Sequence, residues 1–240
     1  MKSHVLTLIA IAILSLSGCT SPPMQDGRDS FSSLLKSYSF EELSPPSRIP
    51  SPGTVIRVNS IQPLNYNVVC SANEAFGNEW AAKIISSDTT DINVHALTDR
   101  KFSVGVSYLS LLSASASAGK VSDIKMQLSN AKLLLITSAS ARSGIAEKNC
   151  LFALNFKGQR LAGEITMVTS ALQADVEYSV EFKQDASLTL DAKMELLRNI
   201  AGKLGGTLAN DSSGTVRGTN LFWGIKRDRV VFQQYLDAHQ

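Results

Sequence analysis

From residue 174 to residue 182 apolar and polar positions alternate without a break. Ala174, Val176, Tyr178, Val180 and Phe182 are separated by Asp175, Glu177, Ser179 and Glu181. A period of two puts one set on a core face and the other in water, the mark of a half-buried strand. The same parity resumes after a turn-like Gln184-Asp185, through Ala186, Leu188, Leu190, Ala192, Met194 and Leu196. Two strands joined by a tight hairpin satisfy that pattern. A helix competes for the second half. Leu190, Met194, Leu197, Ala201 and Leu204 form a helical stripe that Gly205-Gly206 would end, and 191–204 reads as helix more readily than as strand.

A second alternating region runs from Phe102 to Ala118. Val104, Val106 and Tyr108 share one parity with Leu112, Ala114, Ala116 and Ala118, and serines fill most of the other. A Gly119-Lys120 turn follows, after which Ile124, Met126 and Leu128 alternate with Asp123, Lys125 and Gln127. Further strands are expected over 55–60, 66–72, 91–97, 150–156, 165–169 and 220–226, the last with Leu221, Trp223 and Ile225 on one face. The run Asn210-Asp211-Ser212-Ser213-Gly214 reads as a turn. The tail 229–239 closes as a short helix or an edge strand.

All seven prolines precede residue 64. Proline removes a ladder donor and is kept out of sheet interiors, so the proline-free remainder is compatible with a sheet. The Ser- and Pro-rich stretch up to residue 52 reads instead as a tether. Within it Phe31, Leu34, Leu35, Tyr38 and Leu43 recur at near-helical spacing, with Asp29 or Ser30 able to cap. That short amphipathic helix is expected to dock on the body rather than lie on a membrane, because its flanks carry little basic charge.

The first residues carry a different signal. Lys2 precedes an apolar run from Val5 to Leu14, and Leu16-Ser17-Gly18-Cys19 follows. A basic start, an apolar core and small residues before a cut site make a secretory signal peptide, and the run is too short for the ~20 residues of a spanning helix. The four residues ending at Cys19 resemble the lipobox of bacterial lipoproteins. The resemblance implies a diacylglycerol on the Cys19 thiol, cleavage just before it and acylation of the new amine. Several acyl chains anchor a protein stably where a single chain does not. In that family an Asp after the cysteine favours the inner membrane. Here Thr20 follows, which implies the cell envelope at the outer membrane.

The expected organisation is a signal peptide over 1–18, a lipidated tether over 19–52 and a globular strand-rich domain over 53–240. The fold class is α+β: mainly antiparallel sheet with one or two helices, a single domain on a flexible N-terminal tether. With 44% hydrophobic residues there is ample material for a core. A formal net charge of +2 and no dense Lys/Arg stretch give no reason to expect a nucleic-acid partner.

Three cysteines occur. With Cys19 lipidated, Cys70 and Cys150 remain in an oxidising compartment and are expected to pair. Closing a loop of about 80 residues stabilises by roughly 4–5 kcal/mol in the chain-entropy model. Two buried free thiols are the alternative.

Candidate chemistry is sparse. His95 sits in an expected strand and reads as a surface or half-buried residue; His239 is penultimate. No G-x-S-x-G elbow accompanies them. The cysteines, histidines and carboxylates show no metal-ligand spacing, and Gly202, Gly205 and Gly206 are not a phosphate loop. Asp175 and Glu177 sit two apart on one strand and read as a solvated face; Glu41-Glu42 reads the same way. Trp80, Trp223, Phe222 and Phe232 either line a groove or fill the core. Neither a metal nor another cofactor is expected, nor any catalytic residue.

The leading reading is a lipid-anchored envelope protein with a non-enzymatic binding or scaffolding role toward an envelope partner. The alternative is a membrane-active, pore-forming protein using amphipathic hairpins 102–136 and 162–196, since spanning strands need about 9–11 residues. The order of an early strand pair, a hairpin, a helix-rich spacer, a second hairpin and a closing strand resembles the pore-forming domain of gasdermins. An enzyme of undefined class is a further alternative.

Overall fold

The computed structural model describes residues 27–61, 64–87, 101–103, 121–146, 164–184, 187–204, 207–210 and 215–228. In chain order these form α1 (Gly27–Ser37), β1 (Glu41–Ser47), β2 (Val55–Ile61), β3 (Leu64–Cys70), α2 (Ala72–Phe76), a 3-10 turn (Gly77–Glu79) and α3 (Trp80–Lys83). They continue with β4 (Ile84–Ser87), β5 (Lys101–Ser103), β6 (Val121–Ile136), α4 (Ser138–Ala146), β7 (Glu164–Phe182), α5 (Leu190–Leu204), β8 (Thr207–Asn210) and β9 (Thr215–Asp228). The strands make one antiparallel sheet, so mainly antiparallel sheet with few helices describes the architecture.

Three long strands form its spine. β7 has β9 on one side; on the other it pairs first with β6, over 170–182, and then with β2, over 164–167. The alternation expected from the sequence is present. Ala174, Val176, Tyr178 and Val180 of β7 and Ile124, Met126 and Leu128 of β6 are buried, and the residues between them face water. α1 and α5 lie on that buried face, where Phe31, Leu35, Met194, Leu197 and Ile200 join the strand residues in the largest core. Trp223 is at its centre, in edge contact with Phe31 at 5.5 Å. A second core lies around Val55, Phe76, Ile136 and Met167, where α2 and α4 contribute Ala75 and Ala141. A third fills the curl of β1, β9, β7, β2 and β3, with Leu43, Ile56, Val168 and Ile225 inside. There the ends of the sheet approach each other, and the Tyr66 hydroxyl donates to the Ile49 carbonyl at 2.7 Å.

Several expectations change. The hairpin over 174–196 does not form, and the helix favoured over 191–204 takes the place of its second strand. β7 ends at Phe182 and 190–204 is helical, opened by Thr189, whose hydroxyl accepts from Ala192 N–H at 3.3 Å. Burial decides between the two patterns: Leu196, Leu197, Ile200 and Ala201 lie on the core, which only the helical period allows. Leu190, at the head of the expected stripe, is exposed. The pore-forming alternative therefore loses its second hairpin as drawn, and 164–182 pairs instead with 121–136.

The segment up to residue 52 also differs from a tether. α1 docks through Phe31 and Leu35, as its amphipathic pattern implies. Leu43 is not part of that helix. It belongs to β1, which pairs with the outer edge of β9 and carries Pro45 and Pro46. An edge strand needs only one row of donors, and that row faces β9 in part, so prolines are tolerated there. The packed body thus includes residues well before 53. Leu221 and Trp223 face the main core, but bulges on β9 carry Ile225 to the third core and bury Phe222 as well.

The turn at 119–120, the strands expected over 104–118, 91–97 and 150–156, the tail, and His95, His239 and Phe232 lie outside the described residues. So do residues 1–26, with Cys19.

Candidate functional site

Two features stand out from the fold. The first is the water-facing side of the spine. Its charges are paired across strands: Lys125 on β6 with Glu181 on β7, and Arg217 on β9 with Glu177 on β7 at 2.8 Å. The Glu181 carboxylate accepts a hydrogen bond from Lys125 and holds its ammonium above the ordinary lysine range. At the level of Asp175 both neighbouring strands bulge. Asn130 on β6 (φ 51°) and Asn220 on β9 (φ 54°) take the left-handed conformation that asparagine tolerates better than most residues. The Asp175 carboxylate accepts from both of them, from the Asn130 side-chain amide at 2.7 Å and from the Asn220 backbone N–H at 2.8 Å. Asp175 and Glu177 are therefore each engaged by a neighbouring strand. Glu41 and Glu42 are engaged too. Glu42 accepts from Ser32 on α1, and Glu41 receives a two-pronged contact from Arg227, at 2.8 and 2.7 Å.

The second feature is a groove at Trp80, at the junction of α2, α3 and the sheet. One depression of about 320 Å³ is bounded by Arg48, Thr54, Asn73, Trp80, Gln173 and Asn220 among others. A neighbouring one of about 350 Å³ shares Asn73 and Trp80 and adds Asn78. The indole is held in place, its N–H donating to the Pro52 carbonyl at 2.9 Å. α2 is fixed by a capping box. Ser71 Oγ accepts from Glu74 N–H, and Glu74 accepts from Ser71 N–H at 2.6 Å, which holds the Glu74 carboxyl below its ordinary range. The groove was beyond sequence reasoning because its walls come from four separated segments; Trp80 alone gave a signal.

Of the candidate residues, Cys70 is buried at the end of β3 and is disulfide-bonded. Its partner lies outside the described residues, as do Cys19 and Cys150. Trp223 and Phe222 are buried, whereas Trp80 is half-buried in the groove. Among the described residues, no group of three or more His, Cys, Asp or Glu side chains is placed to hold a metal. No helix among them is long and apolar enough to cross a membrane.

No protein-family model and no curated protein matches this chain. Among solved structures, it is similar to a bacterial gasdermin from Bradyrhizobium tropiciagri, with 14% identity over 81% of this chain and 83% of that one, at a TM-score of 0.37. Likeness of this size carries no argument about function.

Proposed function

We propose that this chain is a lipid-anchored envelope protein that acts on the membrane holding it, with no enzymatic step. The observation that carries this reading is the pair of alternating stretches Asp123–Ser129 on β6 and Ala174–Phe182 on β7, hydrogen-bonded to each other. The β7 stretch is as long as the ~9–11 residues of a tilted membrane strand, and the β6 stretch reaches that length with Val121 and Ser122 across a bulge. Each has one wholly apolar face and one polar face, the division that a barrel strand places between lipid and lumen. In the packed body α1 and α5 cover the apolar face. Movement of those helices would free it for lipid, and the acyl chains implied at Cys19 would keep it within reach of the bilayer. The test is dye release from liposomes of envelope lipids by the full-length lipidated protein. Release that falls sharply in a Cys19→Ala variant supports the reading. No release under any lipid composition, pH or proteolytic activation sinks it.

A binding or scaffolding role toward an envelope partner is the second reading, favoured by the preformed groove at Trp80. Crosslinking of the lipidated protein in envelopes checks it. A reproducible partner lost on substitution of Asn73 and Asn78 supports this role, and purely self-crosslinked species count against it. A Cys70–Cys150 bridge belongs to both readings, and mass spectrometry of the unreduced protein identifies the pairing.

A further inference from the structure

The geometry points to a saccharide-binding site in the groove at Trp80, with room for an oligosaccharide of at least two units. This assignment rests on the binding reading and names its ligand class. Three observations carry it.

The first is shape. Two depressions, about 320 and 350 Å³, share Trp80 and Asn73 as walls, so a ligand filling both touches the indole. Each is near the lower bound of small-molecule sites, roughly 300 Å³. They are open and shallow, which suits a chain lying along a surface.

The second is chemistry. The amide residues Asn73, Asn78, Gln173 and Asn220 line the groove, with the hydroxyl residue Ser51 at its rim, while Thr54 beneath is buried against Ser51. An amide offers donors and an acceptor at fixed separation, matching adjacent sugar hydroxyls, each of which is both donor and acceptor. Among the described lining residues no carboxylate is present and Arg48 is the single charged group. A cationic ligand finds no counter-charge there.

The third is preorganisation. The indole gives an apolar surface for the C–H face of a pyranose. Its bond to Pro52 already fixes the ring, and the capping box fixes the helix that carries Asn73. Little side-chain freedom remains to be lost on binding.

The experiment titrates the full-length protein in detergent micelles with chitotetraose, maltotetraose and soluble peptidoglycan fragments, read by tryptophan fluorescence. The chain has two tryptophans, and Trp223 is 2% exposed in the core, so a change reports Trp80. Saturable quenching or a blue shift by one of these probes is expected. Asn73 and Asn78 are exposed, so N73A/N78A keeps the fold and is expected to weaken binding at least tenfold. Trp80→Phe keeps an aromatic platform and is expected to retain binding that Trp80→Ala loses, with bound saccharide followed by NMR of the sugar protons. No saturable change with any of the three probes, or unchanged affinity in N73A/N78A, overturns the assignment. A protein partner captured by crosslinking alongside failed saccharide binding would leave the binding reading intact and remove only this ligand class.

Discussion

Substituting Glu41 with Ala leaves a buried guanidinium without its main partner. The Arg227 side chain is 5% exposed, and Glu41 meets it through two short contacts, Nε to Oε1 at 2.8 Å and Nη2 to Oε2 at 2.7 Å. What remains is longer: Glu164 at 3.5 Å and the Thr166 hydroxyl at 3.4 Å. Breaking a buried ion pair from one side costs about 3–5 kcal/mol, because an uncompensated charge stays behind. Two features lower that figure here. The Glu41 side chain is 29% exposed, so its own hydration offsets part of the pairing, and Glu164 stays as a second carboxylate. The expected cost is about 2–3 kcal/mol, a large share of a domain stability of roughly 5–15 kcal/mol. Urea unfolding should show a lower midpoint with an unchanged slope. A double-mutant cycle with Arg227→Met should return most of the loss as coupling, since removing both charges leaves no orphan. The consequence is structural as well as energetic: Arg227 ties β1 to β9 and β7, and E41A should open the 41–47 segment to proteolysis before the rest unfolds. A cost below about 0.5 kcal/mol, the scale of an exposed surface pair, would refute this account of how the N-terminal segment joins the sheet.

Asp175→Ala removes the acceptor of both Asn130 and Asn220; a loss of about 1–2 kcal/mol is expected, with faster hydrogen exchange at the Asn220 amide, and Asp175→Asn should recover part of it. Gly53→Ala meets two obstacles at once, a φ of +90° and a Cβ placed 2.6 Å from Phe76 Cε2, so thermal unfolding should report a loss of about 2–4 kcal/mol. Ser71→Ala breaks the capping box and should cost about 1 kcal/mol at neutral pH. Glu74 has a lowered folded pKa, so its contribution is present above the unfolded value and fades as pH falls through the folded one; wild type and Glu74→Gln should differ at neutral pH and converge in stability only as pH falls through that lowered value.

The strands most legible in the sequence were those whose two faces meet different surroundings. β7 from 174 to 182 and β6 from 123 to 128 lie between a helix-covered core and water, and their alternation carries that contrast. At the other end of the sheet both faces are buried. Phe222, Trp223 and Ile225 all sit in cores there, and alternation says nothing. β1 was unreadable for a different reason. Its sequence, Glu-Glu-Leu-Ser-Pro-Pro-Ser, has little strand propensity, and the open edge of β9, the Arg227 and Ser32 contacts and the burial of Leu43 hold it extended. In α5 two periods fitted the same residues; the local pattern favoured the helix, and the core that Leu197 and Ile200 enter decided for it.

The sequence by itself determined the properties that depend on neighbours along the chain: an amphipathic sheet, a docked helix near residue 31, and the lipobox-like run before Cys19. Periodicity and short motifs are local, and they survive without a fold. Tertiary structure decided what depends on residues far apart in the chain. It paired 121–136 with 164–182, drew 41–47 onto the edge of the sheet, set Asp175 between two left-handed asparagines, and brought Trp80 beside Gln173 and Asn220. Long-range pairing is chosen by whichever arrangement buries the apolar faces and satisfies the backbone together, a condition that no short window of sequence contains.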